Sequence, residues 1–141
     1  MATITITNTA VTPSGTAPQS SGVAGEAISA GNFLYLKSSD NRWYKADATT
    51  AEKSGNGLAQ NIRMALNDAV AAGQPISLAE PGAVLNIGSV VAKGIWYLLS
   101  ATAAKMCNHG DLTTGQYSVS LGYAPTATTF YFDPKPTGVV V

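Results

Sequence analysis

Apolar and polar residues follow one pattern twice along this chain of 141 residues. Residues 25–36 match residues 88–99 with a constant offset of 63 positions. In each copy a glycine is followed three positions later by a β-branched residue, Ile28 or Val91, and then by a second glycine and an aromatic-aliphatic segment. A repeated supersecondary unit constrains the fold more strongly than any single local pattern. We therefore predict two related units, over about residues 25–87 and 88–141.

Short apolar segments separated by turn residues recur through both copies. Residues 33–36 and 42–46 predict a hairpin across a polar turn, and residues 95–99 and 105–107 are its counterpart 63 positions later. Further strands are expected at residues 57–62, 74–78, 83–87, 116–121 and 129–132. One brief helix is expected over residues 64–72, ending at Gly73, because glycine suits a left-handed helix cap. Turn signals about every 8 to 12 residues are typical of all-β folds. The pattern predicts a compact β-sandwich or small barrel with at most one short helix.

Residues 1–24 differ from the rest because they contain no charged and no aromatic residue. The alternating residues at their start are Thr3, Ile4, Thr5, Ile6 and Thr7. Prolines and glycines follow and interrupt regular structure. We expect residues 1–24 to form an extended arm whose strand contacts a partner by adding to a sheet edge, ahead of a single β domain over residues 25–141.

Composition narrows the classes of partner. Eight basic and eight acidic residues give a net charge of zero, so a basic patch for nucleic acid is not expected. The charged fraction of 11% is far below the usual value of about 25%, which favours association with other proteins. No apolar run approaches the roughly 20 residues of a membrane span, and the first residues do not resemble a signal peptide. We expect synthesis in a cytoplasm and no membrane partner.

Candidate chemistry is sparse. Cys107 is the single cysteine, so no intrachain disulfide can form, and with His109 it is the one pair that suggests a nucleophile. The two residues flank a predicted turn without a third orienting group, so catalysis is not expected. The acidic residues are dispersed in turn contexts and do not have the spacing of a calcium loop. The sequence therefore predicts no enzyme, no metal and no cofactor.

Aromatic residues are the remaining candidates. Trp43, Tyr44 and Trp96 could form a platform for a glycan, which would make the chain a carbohydrate-binding adhesion module. The alternative is core and interface packing, because aromatic positions recur within the repeat and aromatic side chains dominate burial in small β domains. Packing is the interpretation that the repeat favours.

Several segments resemble the capsid decoration proteins of tailed bacteriophages, of the cement or head-fibre type. The segments that carry the resemblance are residues 25–31, 43–47, 71–76, 122–129 and 133–134. The resemblance implies a small β-rich protein, often a homotrimer, that binds the major capsid protein at sites of local three-fold symmetry on the outer surface of the head. It implies a virion location and carries no catalytic residue with it. A host glycan is a further partner that such an exposed position would permit.

Overall fold

The computed structural model describes residues 3–13, 18–55, 62–108 and 111–140, and their regular structure is almost entirely β. The strands are β1 (Thr3–Ile4), β2 (Thr12–Pro13), β3 (Gln19–Val23), β4 (Phe33–Lys37), β5 (Arg42–Lys45), β6 (Ile62–Ala65), β7 (Pro75–Ala79), β8 (Ala83–Asn86), β9 (Trp96–Leu99), β10 (Met106–Asn108), β11 (Tyr117–Tyr123) and β12 (Thr129–Val140). Within the described ranges the helical structure is one 3-10 turn at Asn8–Ala10. The all-β class predicted from the sequence is confirmed.

The strands form two antiparallel sheets. The five-stranded sheet has the order β3-β7-β6-β4-β5, and the seven-stranded sheet has the order β1-β10-β9-β11-β12-β8-β2. One of the two sheets curls into a half-barrel. The chain order explains this division, because strands β3 to β7 build one sheet and strands β8 to β12 build most of the other.

The two sheets share one topology. We call β3 to β7 the first unit and β8 to β12 the second unit. The strands of each unit are numbered one to five in chain order. In this numbering both units have the strand order 3-2-4-5-1, and β1 and β2 flank the second unit in its sheet. The two sheets thus repeat one five-strand arrangement, and the bounds of these units differ from the predicted 25–87 and 88–141. Each unit begins one strand before the repeated motif. These first strands, β3 (QSSGV) and β8 (AVLN), occupy equivalent places in the two sheets but have no sequence similarity.

The offset of 63 residues holds at the level of strand register. Leu36 pairs with Trp43 in the first hairpin, and Leu99 pairs with Met106 in the second. Among the described residues, the two non-glycine residues with positive φ are Asn41, at 56°, and Ala104, at 64°. They also lie 63 positions apart, so the duplication extends to the backbone conformation of the turns.

The faces of the two sheets that meet form the main core. Phe33 of β4 contacts Phe130 and Phe132 of β12, with ring centroids 6.4 Å and 6.1 Å apart. A second, smaller core lies on the other face of the five-stranded sheet. It joins the strand residues Leu34, Trp43, Ala65, Ile76 and Leu78 to Ala24, Ile28 and Ala69 from connecting segments. The first unit is thus packed on both faces.

Two segments differ from their sequence predictions. Residues 3–13 and 18–24 lie in the sheets through β1, β2 and β3, where the sequence indicated an extended arm. Residues 3–13 are held there by the buried side chains of Ile6 and Val11 in the main core, and β3 is held by its pairing with β7. The helix predicted over residues 64–72 is wrong: Ile62–Ala65 is strand β6, and the segment after it is irregular up to Gly73, whose φ is 90°. The remainder of the strand predicted at 57–62 lies outside the described residues.

Candidate functional site

One cross-strand row in the first unit shows how this fold uses a sheet face. Phe33 pairs with Met64, which pairs with Ala79 on the next strand. All three side chains are fully buried against the second unit. We call these residues the inner row. Directly opposed residues on neighbouring strands share a face, so the inner row is one continuous apolar strip.

The equivalent row of the second unit is aromatic and open to solvent. Trp96, which corresponds to Phe33, pairs with Tyr123, and Tyr123 pairs with Tyr131. The ring centroids of Trp96 and Tyr123 are 5.0 Å apart, and those of Tyr123 and Tyr131 are 5.4 Å apart. Trp96 is 50% exposed and both tyrosines are half-buried. We call these three residues the aromatic row.

The surroundings of the aromatic row carry little charge. Its neighbours on the same face include Leu98 and Ser120, which oppose each other on β9 and β11. Asp133 and Lys135 lie further along β12, where their side chains form an ion pair at 3.1 Å and offset each other. A neutral face that carries tryptophan and tyrosine has the composition of a protein-binding surface, because these side chains supply large apolar area together with polar tips.

The three aromatic residues singled out from the sequence do not come together. Trp43 is only 7% exposed and lies in the second core of the first unit. Tyr44 packs on Tyr35, and its hydroxyl donates to Asp40 Oδ2 at 2.6 Å. This hydrogen bond raises the pKa of Tyr44 and lowers the pKa of Asp40. Trp96 alone of the three belongs to the aromatic row.

Tyr131 is a member of the row that the sequence analysis did not select. Its signal was the alternation in residues 129–132, where Phe130 and Phe132 occupy one face and Tyr131 the other. Alternation identifies two faces but does not tell which of them the other sheet covers. In the structure Phe130 and Phe132 are fully buried, which leaves Tyr131 on the outer face.

The residues predicted to contact a partner lie at a sheet edge. Thr3 pairs with Cys107 and Ile4 with Met106, so β1 is the outermost strand beside β10. Lys105 Nζ donates to Thr5 Oγ1 at 2.5 Å, and Ile6 is buried in the main core. Thr7 ends this segment and its carbonyl accepts from the N–H of Ala10. The outer edge of β1 is free to receive a further strand within the described part of the chain.

Cys107 does not have the environment of a nucleophile. Its side chain is fully buried, and burial together with the nearby Asp111 raises the pKa of the thiol to about 11. The reactive form of a cysteine is the thiolate, which is scarce at neutral pH when the pKa is so high. His109, the other half of the pair considered from the sequence, lies outside the described residues.

The described residues contain no group of three or more His, Cys, Asp and Glu side chains arranged to hold a metal ion. In the same ranges no helix is long and apolar enough to cross a membrane. Comparison with protein-family models, with curated proteins and with solved structures found no match.

Proposed function

We propose that this chain is a non-catalytic structural protein that decorates the outer surface of a phage capsid and stabilises it by bridging major capsid subunits. The observation that carries the proposal is the exposed aromatic row on a neutral sheet face. Its counterpart in the first unit is buried by the second unit, so the same position of the fold already serves as a packing surface once in this chain. The resemblance of several sequence segments to decoration proteins supplies the class of partner.

The low charge of the chain fits a protein that acts within an assembly. With a net charge of zero it has little electrostatic repulsion to oppose close packing on a shell. We propose that it acts as a homotrimer, as the resemblance implies. Three linked copies of one modest contact bind tightly through multivalency, because each contact raises the effective concentration of the next. Such a trimer would hold neighbouring capsid subunits together.

Co-sedimentation with expanded phage heads that lack the decoration protein tests the proposal. Wild-type chain should bind saturably, with one trimer for each site of local three-fold symmetry. Trp96→Ala should weaken binding about 10- to 100-fold, since truncation of a central aromatic anchor commonly costs that much. The matched control is Val70→Ala in the first unit, because Val70 is 77% exposed and lies outside the aromatic row.

The outcomes separate the parts of the proposal. Equal binding by Trp96→Ala and Val70→Ala would mean that this chain binds the capsid through a face other than the aromatic row. No saturable binding by the wild-type chain would remove the capsid as the partner. Light scattering after size-exclusion chromatography measures the oligomeric state, and a monomer at high concentration would contradict the trimer.

The edge of β1 offers a second contact. Strand addition at this edge would use the backbone of Thr3 and Ile4, which lies outermost in the seven-stranded sheet. Because residues 3–13 and 19–23 belong to the two sheets, deletion of the whole segment would damage the fold. Thr3→Lys is the sharper test, since a lysine on an edge strand discourages further pairing. We expect weaker head binding with unchanged thermal stability, and unchanged binding would exclude this edge.

A glycan is the second candidate partner, and the half-exposed Trp96 is the observation that favours it. The geometry of the row is less suitable, because adjacent rings are tilted by 43° and 49° and contact one another. A polysaccharide stacked on the row would change the tryptophan fluorescence of the wild-type chain. The change should come from Trp96, because Trp43 is buried. No change across a glycan panel would remove this candidate.

A further inference from the structure

The two units contain equivalent turns before their second strands. Gly31 and Gly94 lie 63 positions apart and have φ values of 89° and 82°. The N–H of Gly31 donates to the carbonyl of Ala65 at 2.8 Å, and the N–H of Gly94 donates to the carbonyl of Ala124 at 2.8 Å. These matching hydrogen bonds place Val91 of the second unit at the position of Ile28 in the first.

In the first unit a segment of the same chain lies beside Ile28. The N–H of Ile28 donates to the carbonyl of Ala69 at 2.7 Å, and the N–H of Ala69 donates to the carbonyl of Ile28 at 2.8 Å. The two residues thus form an antiparallel bridge. Ala69 is fully buried, and Asp68 Oδ1 accepts from the N–H of Ala30 at 2.8 Å. An extended segment with one small apolar side chain fills this place.

Among its described residues, the second unit has no corresponding segment. Nine residues, 66–74, join β6 to β7, whereas five residues, 124–128, join β11 to β12. A groove of about 680 Å³ lies beside Val91, and its lining includes Ile4, Val90, Ile95, Tyr97 and Asn108. Among the described residues, the backbone N–H and C=O of Val91 have no hydrogen-bond partner. The groove therefore places an apolar lining beside a residue whose backbone N–H and C=O are not engaged within the described part of the chain, whereas the equivalent groups of Ile28 form the bridge in the first unit.

We propose that this groove binds an extended segment of a partner protein, which pairs antiparallel with Val91 and places a small apolar side chain where Ala69 lies in the first unit. Addition of an extended segment obtains its affinity from backbone hydrogen bonds and its specificity from pockets for alternate side chains. The described residues that line the groove are uncharged, so the side chain that enters it at the position of Ala69 should be uncharged. The inference goes beyond the proposed function, because it holds for any protein partner and uses a surface other than the aromatic row.

A peptide with the sequence of residues 65–74 is the direct probe, because this segment occupies the equivalent place in the first unit. We expect saturable binding to the full chain with a dissociation constant of about 1 mM or tighter, measured by NMR titration. Ala92→Trp should weaken binding at least about 10-fold, since Ala92 lines the groove and is exposed, so a large side chain there blocks the groove without entering the core. Ala51→Trp, at an exposed alanine of the first unit, is the matched control and should bind normally.

Two further measurements make the result specific. Hydrogen exchange at the Val91 amide should slow when the peptide binds, because its N–H becomes a donor in the bridge. A peptide with Ala69→Asp should fail to bind, since the carboxylate would have to enter an apolar site. No binding of the parent peptide up to about 5 mM, equal weakening by both tryptophan variants, or unchanged exchange at Val91 would each overturn the inference.

The same variants distinguish this inference from the proposed function. If heads bind wild type and Ala92→Trp equally and the peptide does not bind, the groove is excluded and the decoration role stands. If the peptide binds as expected while heads bind nothing, the decoration role fails and the groove stands. Loss of head binding in Ala92→Trp but not in Ala51→Trp would identify the capsid as the source of the segment.

Discussion

The inner row of the first unit and the aromatic row of the second occupy the same place in the same five-strand topology, but their environments are opposite. Phe33 is fully buried, whereas Trp96 at the equivalent position is 50% exposed. The difference follows from how the units stack. The first unit presents its row to the second unit, and the second unit receives that contact on its other face, which carries Phe130 and Phe132. A duplicated unit that stacks in this head-to-tail way leaves one packing face without a partner.

The edges of the two sheets show a second contrast. Tyr44 and Cys107 are equivalent, 63 positions apart, on the strands β5 and β10. Strand β1 covers β10, where Thr3 pairs with Cys107, whereas β5 is the outermost strand of the five-stranded sheet in the described part of the chain. The same position is therefore a buried thiol in one unit and a half-exposed phenol in the other. The contrast shows that added segments, rather than the repeat itself, decide which positions reach solvent.

The largest expected effect comes from truncation of the two equivalent aromatic residues. Phe33→Ala should lower the free energy of unfolding by about 3–5 kcal/mol, because it leaves a cavity at the centre of the main core. Trp96→Ala should cost about 1 kcal/mol or less, since half of the side chain is already in water. Urea denaturation of both variants measures the difference between the two losses of unfolding free energy. The comparison requires that the unfolding free energy of both variants depends equally on urea concentration. Equal losses would mean that the two rows are buried alike in solution and would contradict the comparison.

A bulge in β11 is the next difference between the units. Leu34 pairs with Arg63 in the first unit, and the equivalent Tyr97 pairs with Gly122 in the second. In β11 one additional residue lies between Ser120 and Gly122, which pair with the consecutive residues Leu98 and Tyr97 of β9. Gly122 has a φ of 144°, and a Cβ there would overlap the carbonyl oxygen of Tyr131. Gly122→Ala should therefore lower the free energy of unfolding by about 2–4 kcal/mol.

Gly115→Ala is the control for the bulge. Gly115 also has a positive φ, 91°, but a Cβ there meets nothing within 4 Å, so this variant reports the cost of backbone strain alone. It should lose about 1 kcal/mol. Thermal or urea denaturation of both variants gives the two values. If Gly122→Ala loses no more than Gly115→Ala, the close approach of β11 to β12 does not exist in solution.

Much of this fold could be predicted from the sequence, because the repeat fixes register. The offset of 63 residues between Leu36 and Leu99 and between Trp43 and Met106 predicted which hairpin strands correspond. The alternation in β12 likewise predicted its two faces. These features depend on near neighbours in the chain or on the comparison of two copies, and both are visible in the sequence.

Other features depend on contacts between distant residues. The apolar residues from Met64 to Val70 fit a helical period, but Met64 belongs to a strand and Ala69 bridges to Ile28, 41 positions earlier. The alternation around Ile6 signals one buried face but does not tell what covers it, since its partners in the core come from both units. The aromatic row was only partly predictable for the same reason. A repeat shows that Phe33 and Trp96 are equivalent, but stacking decides which of them is covered.

Cys107 gives a smaller, pH-dependent effect that tests the covered edge. Burial raises its pKa from 9.0 to about 11, so the folded state favours the neutral thiol. The stabilisation is therefore fully present below about pH 9, and it is lost as the pH rises from about 9 towards 11, where the unfolded chain loses the proton first. The difference in unfolding free energy between wild type and Cys107→Ala should shrink over this range.

Thiol labelling provides an independent measurement of the same edge. At pH 8 the folded protein should react with a disulfide reagent at least about 100-fold more slowly than the unfolded chain, because the thiol is both buried and protonated. Removal of the contact between Thr3 and Cys107, by the Thr3→Pro variant, should speed the reaction. Fast labelling of the folded wild type would show that β1 does not cover β10 in solution, and the contrast with Tyr44 would disappear.

The smallest expected effect concerns the two turn residues with positive φ, Asn41 and Ala104. Asparagine tolerates the left-handed region better than alanine, so Asn41→Ala should lower the free energy of unfolding by about 0.5–1 kcal/mol. Ala104→Gly should change it by less than about 0.5 kcal/mol, because relief of strain is offset by loss of a buried methyl group and by a more flexible unfolded chain. Thermal denaturation resolves such changes, since 1 kcal/mol corresponds to about 3–5 °C for a chain of this size. A clear gain in stability from Ala104→Gly would mean that strain outweighs packing in the second hairpin, whereas no loss from Asn41→Ala would mean that the first hairpin does not hold its turn in the left-handed region. Either result would show that the backbone equivalence of the two hairpins does not extend to their energetics.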